Sequence, residues 1–298
     1  PPNSALHQSC DRMGMLVDEH VNVFKIETTL NSNTFPGILG HLQRPERKWN
    51  LWEKAVFGLN RRSLGLMPFA ARHRIFHGIR APYGVTGISA GVTEQVHEQT
   101  LQNVFRQQAV PVKGQADVLV YGLPYLSPYN VSSIMNPILV HCNALGYLFN
   151  LYRGRPLVRR GGVLVLMHPL ENRFNRAHHP SYIDFYEQVL PQTRDPAEIE
   201  SRFEEEYATN PQYIDQYRNS GAFHGVHPFY MWYWACYAQS YLGRVIVVGA
   251  RDKEVADRLG YEIAPTLDSA LDMAQDTVGS DPQVTVFHMP PIFMCDVE

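Results

Sequence analysis

The sequence is poor in cysteine. Its four, Cys10, Cys142, Cys236 and Cys295, lie far apart and form no CxxC pair. That excludes a disulfide framework or a zinc knuckle and reads as reduced, buried thiols in a cytoplasmic protein. No apolar run approaches the roughly 20 residues that cross a bilayer, so no membrane partner is expected, and no signal peptide is visible. Neither sign of charge dominates: 26 Lys and Arg stand against 29 Asp and Glu. Without a basic stretch interleaved with aromatics, nucleic acid is not an expected partner. Several motifs are missing as well. Neither "GGVLVLMHP" nor "GRVIVVGARDKEVADRLG" completes the GxGxxG dinucleotide fingerprint, and there is no GxSxG elbow or GxxxxGK[ST] loop.

What is present is the composition of a globular chain. Of 298 residues, 45 % are hydrophobic and 18 % charged, enough for one large or two ordinary domains. The chain opens at "PPNSALHQSC" without a methionine, and the expectation is a piece of a longer or processed protein.

Two textures divide the sequence. Residues 1–113 are irregular. One strand is expected in "VNVFKIETTL", where Val21, Val23, Lys25 and Glu27 alternate with Phe24 and Ile26. A helix is expected in "RPERKWNLWEKAVFGLNRRSLG", with Trp49, Trp52 and Val56 on one face. The glycine-rich "YGVTGISAGVTEQVHEQTLQNVFRQQ" reads as a loop feeding another helix, with Thr93 as its cap and Val96, Leu101, Val104 and Phe105 as an apolar stripe.

Residues 114–298 are regular. "ADVLVYGLP", "GGVLVLMHP", "GRVIVVGA" and "PQVTVFHMPP" are short valine-rich runs bounded by glycine or proline. Such runs suit strands buried on both faces of a parallel sheet. Helical segments separate them: 134–152, 182–190, 197–207, 229–242, 254–259 and 267–278. The alternation predicts an α/β fold, a three-layer α/β/α open and mostly parallel sheet of Rossmann-like type, with a smaller irregular amino-terminal part. Ligands of such sheets sit at the carboxyl ends of the strands. The "GLPYLSPYN" loop after the first buried strand therefore presents Tyr129, Asn130, Ser132 and Ser133 to a ligand, or merely caps the next helix.

Histidines offer a second candidate site. His168 and Glu171 follow one strand, His178 and His179 come shortly after, and "AFHGVH" adds His224 and His227. Neutral imidazoles with a carboxylate can hold a transition metal. Against this, HxxH lacks the glutamate and i,i+4 spacing of HExxH, and histidines bonded at element ends explain it equally. Cys142 and Cys236 fall in apolar helical patterns and read as core. The aromatic stripe from Phe229 to Tyr241 is too dense to be all core, so part of it should line a pocket or an interface.

The order of these segments resembles the carboxyl-terminal portion of the nickel-dependent lactate racemase family. The resemblance runs through "VNVFKIETTL", "QADVLVYGLP", "RRGGVLVLMHPLEN", "GRVIVVGARDKEVADRLGYEIAPTLDSALDMAQDTVG" and "QVTVFHMPP", about two thirds of the chain in order, with 43–80 and 174–222 as insertions. It implies an isomerase, a racemase or epimerase, acting on a small 2-hydroxy acid or related alcohol by hydride transfer to a nickel-pincer nucleotide. In that family the cofactor is bonded by a lysine in a "GGRK"-like segment, and that segment does not occur here. The resemblance places the cofactor and the catalytic acid and base histidines in an upstream domain, with residues 1–113 as the tail of that domain. It implies that Tyr129, Asn130 and Ser133 stand where the family has tyrosine, glutamine and a substrate-binding lysine. Trp232, or Trp234, stands for a substrate-facing tryptophan, and His227 joins the pocket wall. Loss of the lysine implies a bulkier or less acidic substrate than lactate. Alternatives are a metal-dependent enzyme built on His168, His178, His224 and His227, and a non-catalytic α/β binding domain. Association as a homo-oligomer or with an upstream cofactor domain is also expected.

Overall fold

The computed structural model describes residues 5–124, 135–287 and 294–298. They divide into two compact units, 1–109 and 110–298.

The first unit contains α1 (Ala5–His20), β1 (Lys25–Leu30), α2 (Leu51–Leu66), α3 (Phe69–Gly78), β2 (Val85–Gly91) and α4 (Thr93–Gln108). β1 and β2 pair antiparallel, with Ile26 opposite Ala90 and Thr28 opposite Ile88, so the glycine-rich stretch expected as a loop is a strand, held by its pairing with β1. β1 is shorter than the alternation predicts, since Val21 and Val23 precede it. α2 starts later than expected because Asn50 forms a capping box with Glu53; Trp49 falls outside the helix and Trp52 is exposed. Thr93 opens α4 as its first residue, and Val92 occupies the cap position. Of the expected α4 stripe only Val96 is fully buried.

The second unit contains β3 (Ala109–Val112), β4 (Ala116–Gly122), α5 (Pro137–His141, extended through Asn150 by wider and then tighter turns), β5 (Tyr152–Arg153) and β6 (Val158–Met167). It continues with α6 (Pro180–Asp184, extended through Val189), α7 (Pro196–Ile199, extended through Glu204), α8 (Glu205–Thr209), α9 (Pro211–Asn219) and α10 (His227–Tyr241). The last elements are β7 (Arg244–Val248), α11 (Lys253–Leu259), β8 (Glu262–Ala264), α12 (Leu267–Val278), β9 (Val284–Val286) and β10 (Met294–Val297). All four expected runs are strands of one parallel sheet of order β8-β7-β6-β4-β9, but β9, at the sheet edge, leaves Val284 and Val286 exposed instead of buried on both faces. β8, too short and polar to be expected, adds its far edge, while β3, β10 and β5 form a small separate sheet.

Alternation along the strands explains both layers. Val118, Val120, Val163, Val165 and Ile246 point to one face, where they meet Ala270 and Ala274 of α12. Leu119, Tyr121, Leu164, Leu166 and Val247 point to the other and join the large core with residues of α5, α6, α10 and α11. The chain steps from β4 through β6 and β7 to β8 in one direction, then returns past β4 to β9. Parallel crossovers are right-handed, so reversing the direction of travel moves the connection to the opposite face. This is why α12 lies across the sheet from α5, α6, α10 and α11.

Leu164 has no accessible surface at the centre of the sheet. Leu164→Ala is expected to lower the free energy of unfolding by about 2–5 kcal/mol, read from urea denaturation. A loss below about 0.5 kcal/mol, the range of surface changes, would contradict its central position.

Candidate functional site

The reversal between β4 and β9 creates the topological switch point of the sheet, and ligands of open parallel sheets bind outside the strand carboxyl ends at such a point. The described edge is tightly built. Phe287, just after β9, donates its N–H to the Val120 carbonyl (2.8 Å) and stacks on Tyr121. Tyr121 in turn donates to the Ala144 carbonyl at 2.7 Å. The loop after β4, with Tyr129, Asn130 and Ser133, lies outside the described residues.

β6 ends one strand away. His168 is buried, and its Nδ1 accepts the Leu170 N–H at 3.0 Å. Burial pushes its imidazole down to about 4, against an opposing pull from Glu171, so it is neutral at neutral pH. Leu170 is the one non-glycine residue at positive φ among the described residues (33°), and it is fully buried. Backbone strain of this kind persists only where its surroundings hold it. Here the Arg251 N–H holds the Pro169 carbonyl (2.8 Å), and the His168 N–H holds that of Val248 (3.2 Å). The Glu171 carboxylate pairs with Arg251 and lies 3.6 Å from the Arg173 guanidinium. The edge beside the switch point thus carries two exposed guanidinium groups around one carboxylate.

The other histidines gather elsewhere, where α6 and α10 begin. The His178 carbonyl accepts the Phe223 N–H (2.9 Å), and its Nδ1 lies 3.2 Å from the Gly221 carbonyl. His227 Nδ1 bonds the Tyr182 hydroxyl at 2.5 Å. Phe223 stacks on both His179 (5.1 Å) and His227 (4.5 Å). His179 is fully buried, with neither ring nitrogen hydrogen-bonded among the described residues. Burial, with the neighbouring imidazoles adding to it, pushes both His179 and His227 down to about 4. Sequence reasoning missed the part played by Phe223, because only the fold brings it between the two histidines.

Among the described residues, no three His, Cys, Asp or Glu are placed to hold a metal ion. His168 is at the sheet edge, His227 bonds Tyr182, and His224 turns its Nδ1 to the Val226 N–H (3.4 Å) and its ring edge to Tyr217. Trp232 has no accessible surface: its indole stacks on His141 (4.0 Å) and donates to the Arg194 carbonyl (3.1 Å). It therefore locks α10 to the core in this structure. The exposed aromatics of α10 are Tyr230, Trp234 and Tyr237. Cys142 and Cys295 are buried as expected, Cys236 is half-buried, and Cys10 departs from the expectation by being exposed.

The neutral histidines set a pH dependence. His168, His179 and His227 take up protons near pH 4 when folded and near 6.5 when unfolded. The unfolded chain binds more protons between those values, so their contribution is complete above pH 6.5 and is lost as the pH falls towards 4. His179→Phe keeps the ring and removes one proton site, so its urea midpoint should fall less steeply with acid than that of the unmodified chain. Parallel curves would contradict the assignment.

No protein-family model matches the chain, and no curated protein matches it. Among solved structures the chain is similar to the lactate racemase apoprotein from Thermoanaerobacterium thermosaccharolyticum, at 15 % identity and a TM-score of 0.42, covering 71 % of this chain and 42 % of that one. The chain spans less than half of that protein's length, and a superposition this loose carries no argument about activity.

Proposed function

We propose that the second unit binds a small 2-hydroxy acid, or a related alcohol, at the β4/β9 switch point, and that the chain serves a racemase or epimerase of the lactate racemase type. The observation that carries this reading is the reversal of strand order at β4, which makes the loop after that strand the expected ligand loop. The order of segments in the sequence supports the reaction class. In this reading the Tyr129 hydroxyl, the Asn130 amide and the Ser133 hydroxyl orient the substrate's polar groups. Arg251 and Arg173, one strand away, lower the cost of bringing a carboxylate to the edge.

The residues present do not fit a nickel-pincer nucleotide. No metal-holding group exists among the described residues, and no "GGRK"-like segment occurs to bond the group. No step of the reaction is placed on this chain through that cofactor; its part is binding, orientation and exclusion of water.

Calorimetric titration with D- and L-lactate and bulkier 2-hydroxy acids tests the proposal. At least one should bind, and Tyr129→Phe with Ser133→Ala should weaken it by roughly tenfold or more, as expected for lost hydrogen bonds worth about 1.4 kcal/mol together. No binding by any of them, or binding indifferent to both substitutions, would overturn it.

A further inference from the structure

The β1–β2 ribbon is turned inside out. Lys25, Glu27 and Thr29 face α4, where Glu27 pairs with Lys25 (2.6 Å) and His97 (3.2 Å), and Asn103 bonds Thr29. This side borders a partly open cavity of about 320 Å³ lined by Glu27, Thr29, Ile88, Ser89, Thr100 and Asn103, among others. The apolar side is bare. Ile26 is 65 % exposed, Ile88 67 %, Val85 58 %, Leu30 44 %, and Phe24, just before β1, 71 %. The pairing of β1 with β2 sets Leu30 opposite Val85 and Thr28 opposite Ile88, which joins these side chains into one patch.

A two-stranded ribbon gains little stability alone and needs its apolar face covered. The five side chains expose on the order of 500 Å², near the upper end of what monomers leave bare. With a surrounding rim they approach the roughly 800 Å² per partner of a standard interface. The face also has no charge, because Lys25 and Glu27 point the other way and neutralise each other. A charged partner finds nothing there to recognise, whereas an uncharged apolar face is complementary to itself, as a two-fold contact requires.

We propose that this face is a dimer interface, occupied by the same ribbon of a second copy packed face to face. It is independent of the ligand reading, since it uses none of the second unit's residues.

Sedimentation equilibrium of the full chain across the micromolar range tests it. The mass should be that of two chains, and the Ile26→Lys/Ile88→Lys pair should weaken association by roughly a hundredfold or more, because it buries unpaired charge. Both positions are exposed in the single chain, so far-ultraviolet circular dichroism should stay unchanged. Ile26→Val/Ile88→Val should remain dimeric. A monomer at every concentration, as when another segment or another protein covers the ribbon, overturns the proposal. A dimer that survives the lysine pair does so too.

Discussion

A run such as Val163-Leu164-Val165-Leu166 has no side that can face water, and that constraint organises the second unit. β6 must be covered on both faces, so it takes a central place between β4 and β7 and requires helices above and below. α10 fills one layer by burying Phe229, Met231 and Trp232 together with residues of α5 and α6. α12 supplies the other with alanines, small enough to bring the helix close to the valine face. The order of strands and the side taken by each helix then follow from right-handed crossovers, and the reversal this forces beside β4 creates the candidate ligand edge.

Much of this was legible in the residues. Four continuous apolar runs identified four of the five strands of the main sheet, because valine-rich runs bounded by glycine or proline need no periodicity to be recognised. β8 escaped notice because its segment holds no valine-rich run, only Ile263 and Ala264 beside the exposed Glu262. α9 escaped because its sequence, "PQYIDQYRN", is mostly polar and buries only Tyr213. In the first unit the alternation of β1 was readable, but not which side it would bury. The covering helix α4 presents carboxamides and histidine to the strand, so the polar side went inward.

The site was less legible than the fold, for a physical reason. Spacing in sequence shows that His178 and His179 are adjacent and that His224 and His227 are three apart. It does not show that Phe223 will stack between His179 and His227, or that the Tyr182 hydroxyl will bond Nδ1 of His227. Trp232 illustrates the same limit: an aromatic in a dense stripe can line a pocket or close a core, and here its stacking on His141 closes the core. Nor does anything local announce the positive φ at Leu170; the bonds from Arg251 and His168 that hold that turn cross between β6 and β7.

The central claim is that stability is concentrated in the doubly covered strands of the second unit, with the candidate ligand edge resting on them. Amide hydrogen exchange read by mass spectrometry tests it directly. Peptides spanning Val118–Val120, Val163–Leu166 and Val245–Val247 should exchange last, through global unfolding, while β1 and β2 exchange much earlier through local opening. Equal protection of the ribbon and the sheet, or early exchange at β6, would contradict the account.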